Sequence, residues 1–231
     1  MRRFWKEVSV IETDGGWRVA LDGKPIKTQG GALQVEPTSE LAEALAEEWR
    51  AQGDEIDANA FVLRDLADYA IDHVRPYRDA AIAKLLAYAE TDTLCYRADP
   101  DEPLYRRQKE LWDPLVTAFE ARHKVKLERV SGVIHRAQPA ETLERLRTVL
   151  AGLDDFTLSA LATLTPLAAS LSTALSAIEP GADASALFAA ANCEEDWQAE
   201  QWGWDALAEE ARAQRLRTFE AAVEFARLAR A

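Results

Sequence analysis

The sequence holds few residues suited to sulfur or imidazole chemistry. Cys95 and Cys193 are its two cysteines. A disulfide framework needs more of them in a small secreted fold, so both read as reduced thiols with a place in the core. Histidine is as sparse. The three, His73, His123 and His135, lie far apart without neighbouring ligand residues, and each reads as an ordinary surface or boundary residue. No glycine-rich loop joins a strand to a helix, because the Gly-Gly pairs at 15–16 and 30–31 sit in turns. His-Glu-x-x-His, Cys-x-x-Cys and Gly-x-Ser-x-Gly are all missing. These gaps remove the familiar motifs of zinc hydrolysis, phosphate binding and acyl transfer. Carboxylates are abundant enough that a glycosidase-like pair stays open, although nothing selects one.

Positive charge is also short. The chain has 27 basic residues against 40 acidic ones, a net charge of -13. A surface of that sign repels a phosphate backbone, so nucleic acid is excluded as a partner and a basic protein surface is favoured. With 231 residues, 48% of them hydrophobic, the chain can bury a core as one large domain or two small ones. The start, Met1-Arg2-Arg3-Phe4-Trp5, lacks the apolar run of a signal peptide and leads straight into strand-like sequence. A bacterial cytoplasmic protein, or a mature organellar one, is expected. One stretch, Phe156 to Ile178, has no charge and is long enough to span a bilayer. It also carries Thr157, Ser159, Thr163, Thr165, Ser170, Ser172, Thr173 and Ser176, with Pro166 near its middle. The reading is a buried core helix broken at the proline, with no membrane insertion.

The periodicity changes once along the chain. Val8 and Val10, then Trp17, Val19 and Leu21, alternate with a period of two. Asp14-Gly15-Gly16 marks a turn, and Asp22-Gly23 is a hairpin signal because both positions must tolerate positive φ. Lys24 to Thr28 is expected to pair back, with a last short strand at Leu33 and Val35. Thr38 is then placed to cap a helix, with Glu40 in its first turn. Leu41, Leu45 and Trp49 share one face, and Gly53 is the stop. The expectation is an α+β fold: a small N-terminal antiparallel meander with a helix at residues 1–60, followed by a larger all-helical domain at 61–231. Within the second part, helices are predicted over 65–74 (ending before Pro76), 77–90, 104–124, 139–150, 183–191 and 192–230. Pro114 should kink the 104–124 helix or mark a start. Residues 91–103 and 125–137 read as loop or short strand.

The informative anomaly is a missing cation. From Thr148 to Ala211 there is no Lys or Arg, yet Asp154, Asp155, Glu179, Asp183, Glu194, Glu195, Asp196, Glu200, Asp205, Glu209 and Glu210 fall inside. No ion pair can form within this segment. Its acids must face water, meet cations from elsewhere in the fold, or await a partner. Trp197, Trp202 and Trp204 lie among them and cannot share one narrow helical stripe. Two readings stand together. In one, Asn192 caps a helix, Glu195 completes a capping box, and the indoles anchor that helix to the core. In the other, acids and indoles form a surface for a partner.

The run Glu194-Glu195-Asp196-Trp197-Gln198-Ala199-Glu200-Gln201-Trp202-Gly203 resembles the signature of the ATP synthase assembly chaperone family that attends the alpha subunit, with its acidic run, aromatic residue, Gln and Trp-Gly. Phe4-Trp5-Lys6, then Leu21-Asp22-Gly23-Lys24-Pro25-Ile26-Lys27-Thr28 and Glu48-Trp49, resemble the same family, whose members are mitochondrial and alpha-proteobacterial. Cys193 and Ala199 stand where larger apolar residues are usual. The resemblance implies no enzymatic activity and no cofactor or nucleotide. It implies binding of the free alpha subunit, and the surface expected to make the contact is Glu194, Glu195, Asp196, Trp197, Gln198, Trp202, Gly203 and Asp205, shielding the face that later meets the beta subunit; a monomer is expected. Glu194, counted back from Trp202-Gly203, falls on the family's critical acid. Trp17, Asp22, Gly23 and Trp49 are expected to give structural support, Trp49 as core or as interface. A small carboxylate-dependent hydrolase and a general protein-binding adaptor remain the alternatives.

Overall fold

The computed structural model describes residues 2–132 and 135–231. The fold is α+β, with a small antiparallel sheet followed by helices. Strands β1 (Val8–Thr13) and β2 (Gly16–Leu21) pair in register from Thr13↔Gly16 to Val8↔Leu21, which leaves Asp14-Gly15 as the two-residue turn. Asp22 and Gly23 both take positive φ, 48° and 76°, and lead into the short β3 (Lys24–Pro25). The regular ladder ends there. Beyond it, isolated bridges join Lys27 to Leu33 and Trp17 to Glu36, where a full strand over 24–28 was expected. Pro25 explains the early stop, since it brings no N–H to the ladder. Val19, Ala20 and Leu21 are all buried. Successive side chains point to opposite faces, so this end of β2 is covered on both.

Helix α1 (Ser39–Arg50) starts as predicted: the Thr38 hydroxyl accepts from the Leu41 N–H and places Leu41, Leu45 and Trp49 in the core. The same hydroxyl donates to the Leu228 carbonyl at 2.7 Å. Trp49 packs edge-on against Trp5 at 5.0 Å and tilted against Phe61 at 4.5 Å. Its neighbour Glu48 accepts from the Leu63 and Arg64 amides at 2.7 and 2.9 Å. Helix α2 (Val62–Tyr69) has no side-chain cap of its own, so the α1 carboxylate satisfies its first donors. Burial is the main influence on Glu48 and raises its pKa.

The helix predicted to end before Pro76 does not end there. A π-turn over Ala70–Val74 and a 3-10 turn over Arg75–Tyr77 carry the chain into α3 (Arg78–Glu90). Pro76 sits in the first turn of the 3-10 stretch, where a missing N–H is tolerated. The chain continues through β4 (Tyr96–Arg97), α4 (Pro103–His123), β5 (Val130–Ser131) and α5 (Ala140–Ala151). Strands β4 and β5 form a parallel pair. Helix α4 runs on past Pro114. The loop reading at 125–137 includes residues 133 and 134, which lie outside the described residues.

The uncharged segment becomes two helices, α6 (Asp155–Ala168) and α7 (Leu171–Ala177). The break falls at Ala169, with φ 46°, three residues after Pro166. No helix among the described residues is long and apolar enough to cross a membrane. Buried Asp92 binds the restart, accepting from Ser170 Oγ at 2.8 Å and the Ser172 N–H at 2.9 Å. Helices α8 (Ala184–Ala191), α9 (Cys193–Trp202) and α10 (Ala206–Leu228) complete the chain. The single helix expected over 192–230 is therefore two. Gly203, at φ 84°, interrupts it in a conformation that favours glycine.

The residues form two compact units. One comprises Met1–Arg78, Asp154–Ala160 and Ala221–Ala231; the other comprises Asp79–Leu153 and Leu161–Glu220. In the first, Phe156 stacks on Phe225 at 6.0 Å, and Asp155 accepts from Arg75 and Arg78. In the second, Trp112 is fully buried and donates through Nε1 to the Ala190 carbonyl at 2.7 Å.

Candidate functional site

Helix α9 grows out of a buried base. Cys193 packs inside, and burial pushes its thiol up to about 12. Cys95 is likewise free, buried and raised to about 12, so both are inert packing residues. Asn192 does not cap α9 as expected. Its side chain donates back to the Phe188 carbonyl of α8 at 2.9 Å, and no capping box forms. Glu195 is free to pair elsewhere.

The acids that follow are mostly answered by arginines from outside the cation-free segment. Glu195 meets Arg215 at 2.5 Å. Asp196 takes a two-pronged contact from Arg212, Nε at 2.6 Å and Nη2 at 2.5 Å. This fork geometry is the strong form of a carboxylate pair. Arg212 also lies 5.2 Å from the Phe188 ring centre and 5.9 Å from that of Trp204. Glu200 pairs with Arg107 at 2.5 Å, which holds its carboxyl below the usual range. The Arg107 guanidinium lies 5.7 Å from the centre of the half-buried Trp197 ring. Glu210 pairs with Arg217. Asp205 accepts from the Leu207 and Ala208 amides and caps α10.

Glu194 is the exception in the acidic run. It is exposed, and its Oε1 accepts from the Gln108 amide at 2.6 Å. Gln108 is buried and oriented by the Ala98 N–H, which donates to its Oε1 at 2.8 Å. Among the described residues Glu194 has no ion pair. It carries a charge that the fold positions but does not neutralise.

The indoles separate by role. Trp197 is half-buried under Arg107, while Trp202 is 81% exposed, Trp204 40% and Leu207 82%. Gln198 and Gly203 are exposed, as is every residue from Gln201 to Glu210. The turn between α9 and α10 thus presents apolar side chains together with carboxylates. Isolated exposed apolar residues are ordinary, but three large ones in six residues form a patch that suits protein contact.

The expected supporting residues are far from this turn in sequence and act locally. Asp22 Oδ1 accepts from the Lys6 and Glu7 amides at 3.0 and 2.8 Å, which hold its carboxyl below its usual range. Trp17 exchanges backbone hydrogen bonds with Glu36. Trp49 is a core residue, 8% exposed. The sequence reading missed Arg107, Gln108, Arg212 and Arg215. The three-residue spacing of Arg212 and Arg215, on one face of a helix just beyond the acidic run, was the available signal. Nothing local pointed to Arg107 and Gln108, which approach from α4.

A family model for the ATP12 chaperone protein matches residues 2–120. Mitochondrial atp12 of Schizosaccharomyces pombe is 27% identical over 214 residues, covering 87% of this chain and 74% of that protein. The crystal structure of Atp12 from Paracoccus denitrificans superposes with a TM-score of 0.94 at 41% identity, covering 99% of this chain and 98% of that one. The Atu1473 protein of Agrobacterium tumefaciens superposes at 0.93 with 34% identity, covering 97% and 85%. These likenesses define the class as a chaperone and not an enzyme. Within that class, the chain belongs to the ATP12 chaperone family.

Proposed function

We propose that this chaperone serves assembly of the catalytic sector of F-type ATP synthase, holding the free alpha subunit until the beta subunit takes its place. Family membership supports the setting, and the exposed Trp202–Leu207 turn supports the contact. An unassembled subunit exposes the apolar surface meant for its neighbour, and such surfaces aggregate. Trp202, Trp204 and Leu207 cover part of that surface. Glu194, held in place by Gln108, gives the contact its orientation by meeting a cation of the alpha subunit. Glu195 and Asp196 act by fixing α9 on Arg215 and Arg212, and Trp197 acts from beneath Arg107. Gly203 and Asp205 shape the turn. The protein works as a monomer without a cofactor, in the bacterial cytoplasm or its mitochondrial equivalent.

The test is capture of purified alpha subunit by the full chain. Trp202→Ala with Leu207→Ser removes the apolar tip, and Glu194→Lys inverts the positioned charge. Each is expected to weaken capture by about tenfold or more, equivalent to about 1.4 kcal/mol, while leaving the circular dichroism spectrum unchanged. Undiminished capture by both folded variants would remove this surface from the account. Equal capture of alpha, beta and unrelated unfolded proteins would favour the general adaptor.

A further inference from the structure

We propose that the cavity beside the β4–β5 pair binds a small oxyanion, and that a phosphate group is the ligand chemistry it fits. The cavity has a volume of about 510 Å³ and is lined by side chains of the second compact unit. Arg97, in β4, is one of the lining residues although its side chain is only 5% exposed. Its Nη2 lies 2.6 Å from Asp113 in an ion pair, and its Nε is buried with no hydrogen-bond partner among the described residues. Arg129 lines the same cavity. It reaches Glu120 through Nη2 at 3.2 Å, and its Nε is also buried without a hydrogen-bond partner among the described residues.

A guanidinium has five donors and no acceptor, so an unused Nε–H on each of two cavity-lining arginines leaves a donor short of an acceptor. Two guanidinium side chains on one cavity match the several oxygens of one tetrahedral oxyanion. Charge points the same way. Arg97, Lys126 and Arg129 face Asp113 and Glu120, three cations against two carboxylates. Glu120 is already engaged by the Leu127 N–H at 2.8 Å, Lys126 at 3.1 Å and Arg129 at 3.2 Å, so it does not supply the missing acceptors. The Ser131 and Thr117 hydroxyls add neutral donors to the wall. A chain with a net charge of -13 repels a long polyanion but not one small ion held in a locally cationic recess.

The experiment is calorimetric titration of the full chain with inorganic phosphate at constant ionic strength, with chloride as the control. Saturable binding is expected, weakened about tenfold by Arg129→Gln and about threefold by Lys126→Met. Arg97 is too deeply placed to test without risking the fold. Lys126 is 72% exposed, so Lys126→Met keeps the question answerable if Arg129→Gln unfolds. Absence of saturable heat up to about 10 mM phosphate, or unchanged affinity in the folded variants, overturns the proposal.

Discussion

Glu36 makes the stability of this protein depend on pH in an unusual direction. The residue forms an isolated bridge with Trp17 of β2, and the two exchange backbone hydrogen bonds. Its side chain is fully buried, and neither carboxyl oxygen has a hydrogen-bond partner from another of the described residues. Arg18 is near enough to help, but its N–H groups go to the Gln34 and Ile26 carbonyls. Asp68 adds a second negative charge nearby. Burial is the dominant effect and pushes the Glu36 carboxyl from 4.5 to about 7.

An acid whose folded pKa lies above its unfolded value binds its proton more tightly in the folded chain. Its contribution to stability is therefore complete below pH 4.5, falls between 4.5 and about 7, and stays lost above that. The gap corresponds to roughly 3 kcal/mol. Glu36→Gln keeps the shape but cannot ionise. Urea unfolding of both proteins at several pH values isolates the effect of Glu36 together with its coupling to Asp68, because the remote titrations are shared. The variant should gain roughly 3 kcal/mol on the wild type between pH 4.5 and pH 8. A difference that stays within about 0.5 kcal/mol across that range would show that Glu36 is solvated or paired in solution, and the reasoning would fail.

Three further perturbations probe the framework. Arg212→Ala strands Asp196 and uncovers the Phe188 and Trp204 rings; it should cost about 1–3 kcal/mol in thermal unfolding. An unchanged midpoint would mean that the fork does not persist in solution. Asp92→Ala removes a buried acceptor from the Leu94 N–H, the Ser170 hydroxyl and the Ser172 N–H, so a loss of about 3 kcal/mol or more is expected. A smaller loss in denaturant titration would show that water replaces the carboxylate. Glu48→Ala should destabilise the start of α2 by about 1 kcal/mol, read as faster hydrogen exchange at the Leu63 and Arg64 amides. Unchanged exchange there would rule out capping by α1.

Local chemistry by itself determined the elements whose cause lies within a few residues. Asp22-Gly23 makes its hairpin because both positions accept positive φ. Thr38 starts α1 because its hydroxyl reaches the Leu41 amide, and Ile82, Leu85, Leu86 and Ala89 face inward because their spacing fits one helical face. Pro76 and Gly203 were among the local errors, with the Asn192 cap and the full strand over 24–28. A π-turn let the helix pass Pro76, and Gly203 used its φ freedom in the middle of a segment read as one helix.

What a charge does depends on which groups sit around it, and chain distance does not record that. The acids at 195, 196 and 200 looked unanswered because their cations come from Arg215, Arg212 and Arg107, up to 93 residues away. The structure turned most of that acidic run into bracing for α9 and left Glu194 positioned by an amide. It also decided which indoles are covered: Trp197 lies under Arg107, whereas Trp202 projects into solvent. Backbone propensities act over one turn and so survive in a linear reading. Ion pairing and burial are set by packing between distant segments, and only the folded chain brings those together.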